Sequence, residues 1–282
     1  MKRMLLVLLI AAWGCPGPKP LEIPRTKARR IVSLLPSFTE ILITIGCKER
    51  LVGVTSFAPP GASDIRRVGG LVDPNLEAIF SSEPDLVLGM RSHSTAHIEK
   101  KLGDGGLIAL FLRNETLDEA MAAIVVIGQV TGQGKEASAL RRKIERELAE
   151  LEAKVQGAPR PRVAVAVNHD PLILAGQGSF LHELMELAGG ANIASDSKTP
   201  HPQFSAESLI ARAPEVIIDV SEAFSRGASD RMVILKWDKL PSTPARKNRK
   251  IYPLERGIPI DPGPRVALLL RFMARKFHPD RF

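Results

Sequence analysis

The sequence predicts an α/β protein of two similar lobes with mostly parallel sheets, joined by one long rigid helix. Three observations lead there. Strand-like apolar runs alternate with amphipathic helical stretches along most of the chain, the pattern of parallel-sheet layer proteins. One helical stretch without an interior proline, residues 131–156, divides the chain. The segments on its two sides repeat. NLEAIFSSEPDLVLG (75–89) lies over SAESLIARAPEVIID (205–219), with Glu77 and Glu207, and Pro84 and Pro214, each 130 residues apart. Each block reads as helix, proline break and buried strand. RIVSLLPSFTEILITIG, from Arg30, shares its plan with RVAVAVNHDPLILAGQGSFLHELMELAGG, from Arg162. Two matched blocks in the same order indicate a duplicated lobe. The expected divisions are a signal peptide (1–14), a tether (15–29), an N-terminal lobe (30–130), an interlobe helix (131–157) and a C-terminal lobe (158–282).

The chain begins with Lys2 and Arg3 and then an apolar run through Trp13. The run is too short to cross a bilayer and has the n-region and h-region of an export signal. It ends in AAWGC, which resembles a bacterial lipoprotein signal with Cys15 as the lipid-carrying residue; Trp13 departs from the small or aliphatic residue usual there. Ordinary cleavage after a small residue is the alternative. The proline-rich, basic stretch that follows has no core pattern and reads as a spacer.

The first lobe opens with a strand at 31–35. Pro36 ends it, and Ser37 or Thr39 is placed to cap a helix over 38–45. A second strand spans 51–55, a helix 76–82, a buried strand 86–90 and a further strand 107–112. A helix carrying His97 lies between the last two strands. Ligands of such sheets bind at the carboxyl ends of strands, which here are marked by Ser37, Phe57, Met90, Arg91 and His93.

The dividing helix places Ala137, Leu140, Ile144, Leu148, Leu151 and Val155 at steps of three and four, on one face. About 22 residues at 1.5 Å each make a rod of roughly 33 Å. Gly157 and the prolines after it stop the helix. The second lobe repeats the plan of the first, with a strand at 163–167, a capped helix after Ser179, a strand at 216–220, a short helix and turn at 237–241, a late strand at 249–252 and a final helix at 266–277. Its strand-end residues are His169, His201, Arg256, Asp261 and Arg265.

Composition is that of a globular protein, with 44% hydrophobic and 25% charged residues. The net charge is +8, but basic residues are dispersed, aromatics make up 5%, and no nucleic-acid motif is present. Two cysteines, Cys15 and Cys47, exclude a disulfide framework, and Cys47 reads as a small buried hydrophobe.

The blocks quoted above, together with VGGLVDPNLEAIFSSEPDLVLG, PQFSAESLIARAPEVII and DPGPRVALLLRFMARKFHP, resemble the substrate-binding proteins of ABC importers for cobalamin and ferric siderophores. Several are nearest the cobalamin branch. The resemblance runs over residues 29–279. It implies an extracytoplasmic, monomeric receptor that holds its ligand between the lobes and has no cofactor of its own. It further implies docking on a membrane permease dimer through Glu77 and Glu207, with the ligand a metal chelate: a corrinoid first, a ferric siderophore or haem second. Laid on that family, the cleft keeps Phe57 at one aromatic position but has Met90, Ile173 and His201 where rings are expected. In the late loop an expected acid and base fall on Gly257 and Asp261, with Arg256 and Arg265 nearby. The ligand-facing set is then Ser37, Phe57, Met90, Arg91, His169, Ile173, His201, Phe204, Arg256 and Asp261.

His93 and His97 are four apart and share a helix face if the helix starts early enough. With His169 and His201 opposite they would form a zinc or manganese site, the alternative being four unrelated loop histidines. A single axial histidine on a chelated metal is an intermediate arrangement. Enzymatic motifs are absent: there is no Gly-x-Ser-x-Gly elbow, His-Glu-x-x-His helix or complete phosphate loop. A serine hydrolase built on Ser37 or Ser179 is the rival class, and both serines are better explained as helix caps.

Overall fold

The computed structural model describes residues 27–221, 230–238 and 243–282. The expected signal peptide, Cys15 and most of the tether lie outside the described residues, as does the end of the expected turn at 237–241.

The N-terminal lobe runs β1 (Ile31–Ser33), α1 (Pro36–Thr44), β2 (Leu51–Val54), α2 (Leu76–Phe80), β3 (Leu86–Met90), α3 (Ala96–Asp104), β4 (Ala109–Leu112) and α4 (Leu117–Thr131). Its strands are parallel, in the order β2-β1-β3-β4. After α5 (Gly134–Val155) come β5 (Arg162–His169), β6 (Leu172–Leu174), α6 (Phe180–Leu187), β7 (Ala191–Asn192), α7 (Ala206–Arg212), β8 (Val216–Asp219), α8 (Asp230–Asp238), α9 (Pro244–Lys247), β9 (Ile251–Pro253) and α10 (Val266–Phe277). Here the order is β6-β5-β8-β9, with β7 also on β5, and among the described residues only β6 runs antiparallel.

Both sheets are buried on both faces, so their strands alternate between two apolar layers. In β5, Val163 and Val165 face the central core while Ala164 and Ala166 face the outer one; in β8, Val216 and Ile218 face inward and Ile217 outward. The first sheet does the same, with Leu86 and Leu88 inward and Val87 outward. The central cluster crosses from one lobe to the other along α4, α5 and α10.

The six apolar residues read from the helical period are the buried residues of α5. The helix ends at Gln156, before Gly157 at φ 74°. At its start α4 stops at Gly132, in the left-handed region that glycine adopts freely. A Cβ on Gly128 would stand 2.3 Å from the Cβ of Ala137, so a hydrogen there lets α4 and α5 close on each other.

The duplication extends to the backbone. Glu83 and Ala213 both sit at φ 44° after their helices. Arg30 Nε donates to the Glu83 carbonyl at 2.8 Å, and Arg162 Nε to the Ala213 carbonyl at 3.1 Å. Asn75 and Ser205 cap α2 and α7 through Ala78 N and Ser208 N.

One local expectation is corrected. Neither Ser37 nor Thr39 caps α1. Leu35 is the flanking residue and Pro36, lacking an N–H, opens the helix. Thr39 Oγ1 turns back to the Leu35 carbonyl, 3.1 Å away, while Ser37 accepts from Asn114 and lies against Gly263 of the other lobe.

Candidate functional site

The carboxyl ends of the two sheets meet in a polar seam. Asn114, two residues beyond β4, donates through Nδ2 to Ser37 Oγ at 3.2 Å and to the Pro262 carbonyl at 3.3 Å. Gly263 lies so close that a Cβ there would be 2.9 Å from the Ser37 Cβ. Arg265, just before α10, donates through Nε to Glu40 of α1 at 2.9 Å and through Nη1 to the Gly257 carbonyl at 2.9 Å. The amino ends of α4 and α6 interlock: Phe180 N donates to the Glu115 carbonyl at 2.8 Å and Leu117 N to Glu183 at 2.7 Å.

Two buried oxygens in this seam, Asn114 Oδ1 and Asp261 Oδ2, take no hydrogen bond among the described residues. Burial, and next the charge of Glu40, push the Asp261 carboxyl above the ordinary carboxylate range, against the pull of hydrogen bonding to Ser37. Asn114 Oδ1 and Asp261 Oδ2 are both oxygens able to accept a hydrogen bond from a bound group.

The rim of the second lobe is organised by Asp219, which ends β8 and is 2% exposed. Its Oδ2 lies 2.6 Å from His169 Nε2 and accepts from Trp237 Nε1 at 2.6 Å; its Oδ1 accepts from Ser221 Oγ at 2.7 Å and Ser221 N at 3.0 Å. Burial alone would raise this carboxyl, but the bonds from His169, Ser221 and Trp237 outweigh it and hold it below its ordinary value. The His169 ring stands edge-on to Trp237, centroids 5.0 Å apart.

The remaining sequence-derived residues are spread around this frame. Phe57 follows β2 and is 52% exposed. Met90 ends β3, half-buried. Arg91, next in the chain, pairs with Glu99 of α3 at 2.9 Å. Ile173 lies in β6, opposite Asn168 and bridged to Gln203. Phe204 packs on the outer cluster that holds Trp237, with the Arg212 guanidinium 5.3 Å above its ring. His201 and Arg256 are exposed loop residues. Glu77 and Glu207 are exposed in the first turns of α2 and α7.

The four-histidine metal site is corrected. His93 precedes α3 because Thr95 holds a tight turn, accepting from Ser92 N at 2.9 Å and donating to the Met90 carbonyl at 2.6 Å. It therefore shares no helix face with His97, and His169 is bound to Asp219. Among the described residues no three His, Cys, Asp or Glu side chains are grouped to hold a metal ion. Ser179 is a buried cap, accepting from His182 N at 3.2 Å and donating to the Gly176 carbonyl at 2.8 Å. Sequence reasoning missed the roles of Glu40, Asn114 and Asp219 and read Trp237 only as part of a short helix and turn. A groove of about 420 Å³ beside Val155, Gly157, Arg160 and Gly189 lies at the amino end of the second sheet, away from the seam.

The family described as periplasmic binding protein matches residues 31–256. The vitamin B12-binding protein of Salmonella typhimurium LT2 is 30% identical over 198 residues, 70% of this chain and 74% of that protein. An ABC transporter substrate-binding lipoprotein of Bacillus subtilis, YvrC, is 26% identical over 267 residues, 92% and 82% of the two chains. Among solved structures, the periplasmic vitamin B12 binding protein BtuF of Vibrio cholerae superposes with a TM-score of 0.74 at 25% identity, over 90% of this chain and 98% of that one. The periplasmic heme-binding protein RhuT of Roseiflexus superposes at 0.78 and 25% identity, over 90% and 100%. A two-lobed α/β fold on one long helix, matched along most of its length, makes this chain a member of the periplasmic binding protein family, in the single-helix-linked class of ABC-importer substrate-binding proteins.

Proposed function

We propose that the protein is an extracytoplasmic receptor that holds a metal chelate at the interlobe seam and delivers it to an ABC permease, and that the chelate is a corrinoid. The observation that carries the reading is the pair of uncommitted buried oxygens, Asp261 Oδ2 and Asn114 Oδ1. Two buried oxygens without partners among the described residues suit the carboxamide rim of a corrinoid, whose N–H groups donate hydrogen bonds. Phe57, Met90 and Ile173 would supply apolar wall, Ser37, His201 and Arg256 the polar periphery. An anionic ferric siderophore would instead call on Arg91, Arg256 and Arg265; of these Arg265 is engaged by Glu40 and Arg91 by Glu99, while Arg256 is exposed. Similarity to vitamin B12-binding proteins supports the same ligand.

Haem is the second reading, favoured by His169. With Nε2 on Asp219, Nδ1 is the nitrogen left for a metal, and a carboxylate behind a histidine fixes its tautomer and ring orientation. Glu77 and Glu207 dock the two lobes on the permease, and Cys15 carries the lipid that keeps the receptor at the membrane. Calorimetric titration with cobalamin, cobinamide, haemin and ferric hydroxamate and catecholate chelates tests the ligand. Corrinoid binding that weakens in Asp261→Asn and Asn114→Ala is expected. Binding of only a ferric chelate, lost in Arg91→Ala, or of free zinc or manganese alone, would overturn it.

A further inference from the structure

Each proposed docking helix carries an exposed apolar side chain one turn after its glutamate. Phe80 follows Glu77 by three residues in α2, and Ile210 follows Glu207 by three in α7, so each pair shares a helix face. Phe80 is 37% and Ile210 39% exposed, whereas Ile79 and Leu209, the residues just before them, are fully buried. The two positions are 130 residues apart, the offset that also relates Glu83 to Ala213 with their shared φ of 44°. They are therefore the same point on two copies of one unit. A single exposed apolar residue needs no explanation. Two at equivalent points, each beside an equivalent acid, describe one surface presented twice.

We propose that Phe80 and Ile210 are the apolar anchors by which the two lobes seat on two like subunits of the permease. The inference rests on the docking role of Glu77 and Glu207 and names what else those faces recognise. The partner surface it implies is a basic group with an apolar recess one helical turn away, offered once by each of two twofold-related subunits. The division of labour follows from physical chemistry. An exposed ion pair steers and orients but holds weakly. Adhesion at an interface comes from a few apolar side chains that lose their water. The acid sets where each lobe lands, and the apolar neighbour sets how long it stays.

The test is surface plasmon resonance of the full receptor on nanodiscs holding its permease dimer, at low and high salt. Ile210→Ala and Phe80→Ala are each expected to speed dissociation about tenfold with little change in association rate or salt dependence. Phe80→Leu should restore most of the lifetime. The ring of Phe80 also lies against Gly105, where a Cβ would be 2.4 Å away, so Ile210→Ala provides the variant free of that contact, and melting temperature is followed for both. Glu77→Lys with Glu207→Lys should slow association and flatten its salt dependence. If those charge reversals leave binding intact, the docking reading itself fails. If they abolish it while Phe80→Ala and Ile210→Ala dissociate at the native rate, the anchors are refuted alone. Loss confined to one of the two apolar positions would refute the twofold partner.

Discussion

His169 and Asp219, fifty residues apart in the chain, meet at 2.6 Å at the carboxyl edge of the second sheet. The same carboxylate oxygen receives the Trp237 indole, so one buried charge ties β5, β8 and α8 together. Asp219→Ala strands these donors and is expected to cost about 3 kcal/mol. The carboxyl is held below its ordinary value, so its contribution is present above the unfolded-state pKa and is lost as pH falls through the lower folded value. Trp13 and Trp237 are the two tryptophans of the chain, so protein purified without residues 1–14 reports this site alone by fluorescence. A red shift in Asp219→Ala, with lower midpoint in urea, is the expected pair of results; an unshifted spectrum would remove Asp219 from the role.

Asp261 runs the other way. Its carboxyl is pushed up by burial and by Glu40, so the folded state favours the protonated form. It carries no penalty below the unfolded-state pKa, near 4. Stability should then fall as pH rises from there through the raised folded value, and level off above it. Asp261→Asn should remove that slope and leave the rest of the pH profile unchanged. Urea titrations of both proteins at intervals from pH 3.5 to 8 measure it.

At the elbow, Gly128→Ala adds a methyl where only 2.3 Å separates it from Ala137. The helices must part, at about 1–3 kcal/mol. Gly128→Ala with Ala137→Gly should recover most of the loss, which thermal melts would show.

The anchor is tested by fractionation. Cys15→Ser is expected to move the receptor from membranes to the soluble fraction or to leave its leader uncut. Mass spectrometry that finds an unmodified Cys15, or a mature chain starting elsewhere, would rule lipidation out.

Local periodicity made the rod and the duplicated blocks legible. The six buried residues of α5 follow from a 3.6-residue period that no distant contact overrides, and Glu77, Pro84 and their partners at 207 and 214 mark the repeat without any structure. The seam was far less legible because its meaning is interlobe. Ser37 has the residue type of a helix cap, but Pro36 removed the need for one and Asn114, 77 residues on, engaged its hydroxyl. The spacing of His93 and His97 was read correctly and its context was not, since the start of α3 depends on where Thr95 finds its partners. Asp219 stood at the end of an apolar run, and nothing nearby shows that His169, Ser221 and Trp237 converge on it.

The central apolar cluster does not stop at the lobe boundary but continues from α1 and α4 along α5 to α6 and α10. Water cannot enter one half of such a cluster without reaching the side chains that support the other. Heat or denaturant should therefore melt the two halves together, as one calorimetric peak whose enthalpy matches the whole chain. Neither half, expressed alone, would keep its side of the rod dry. The price of a stiff joint between the lobes is that they share a single fate.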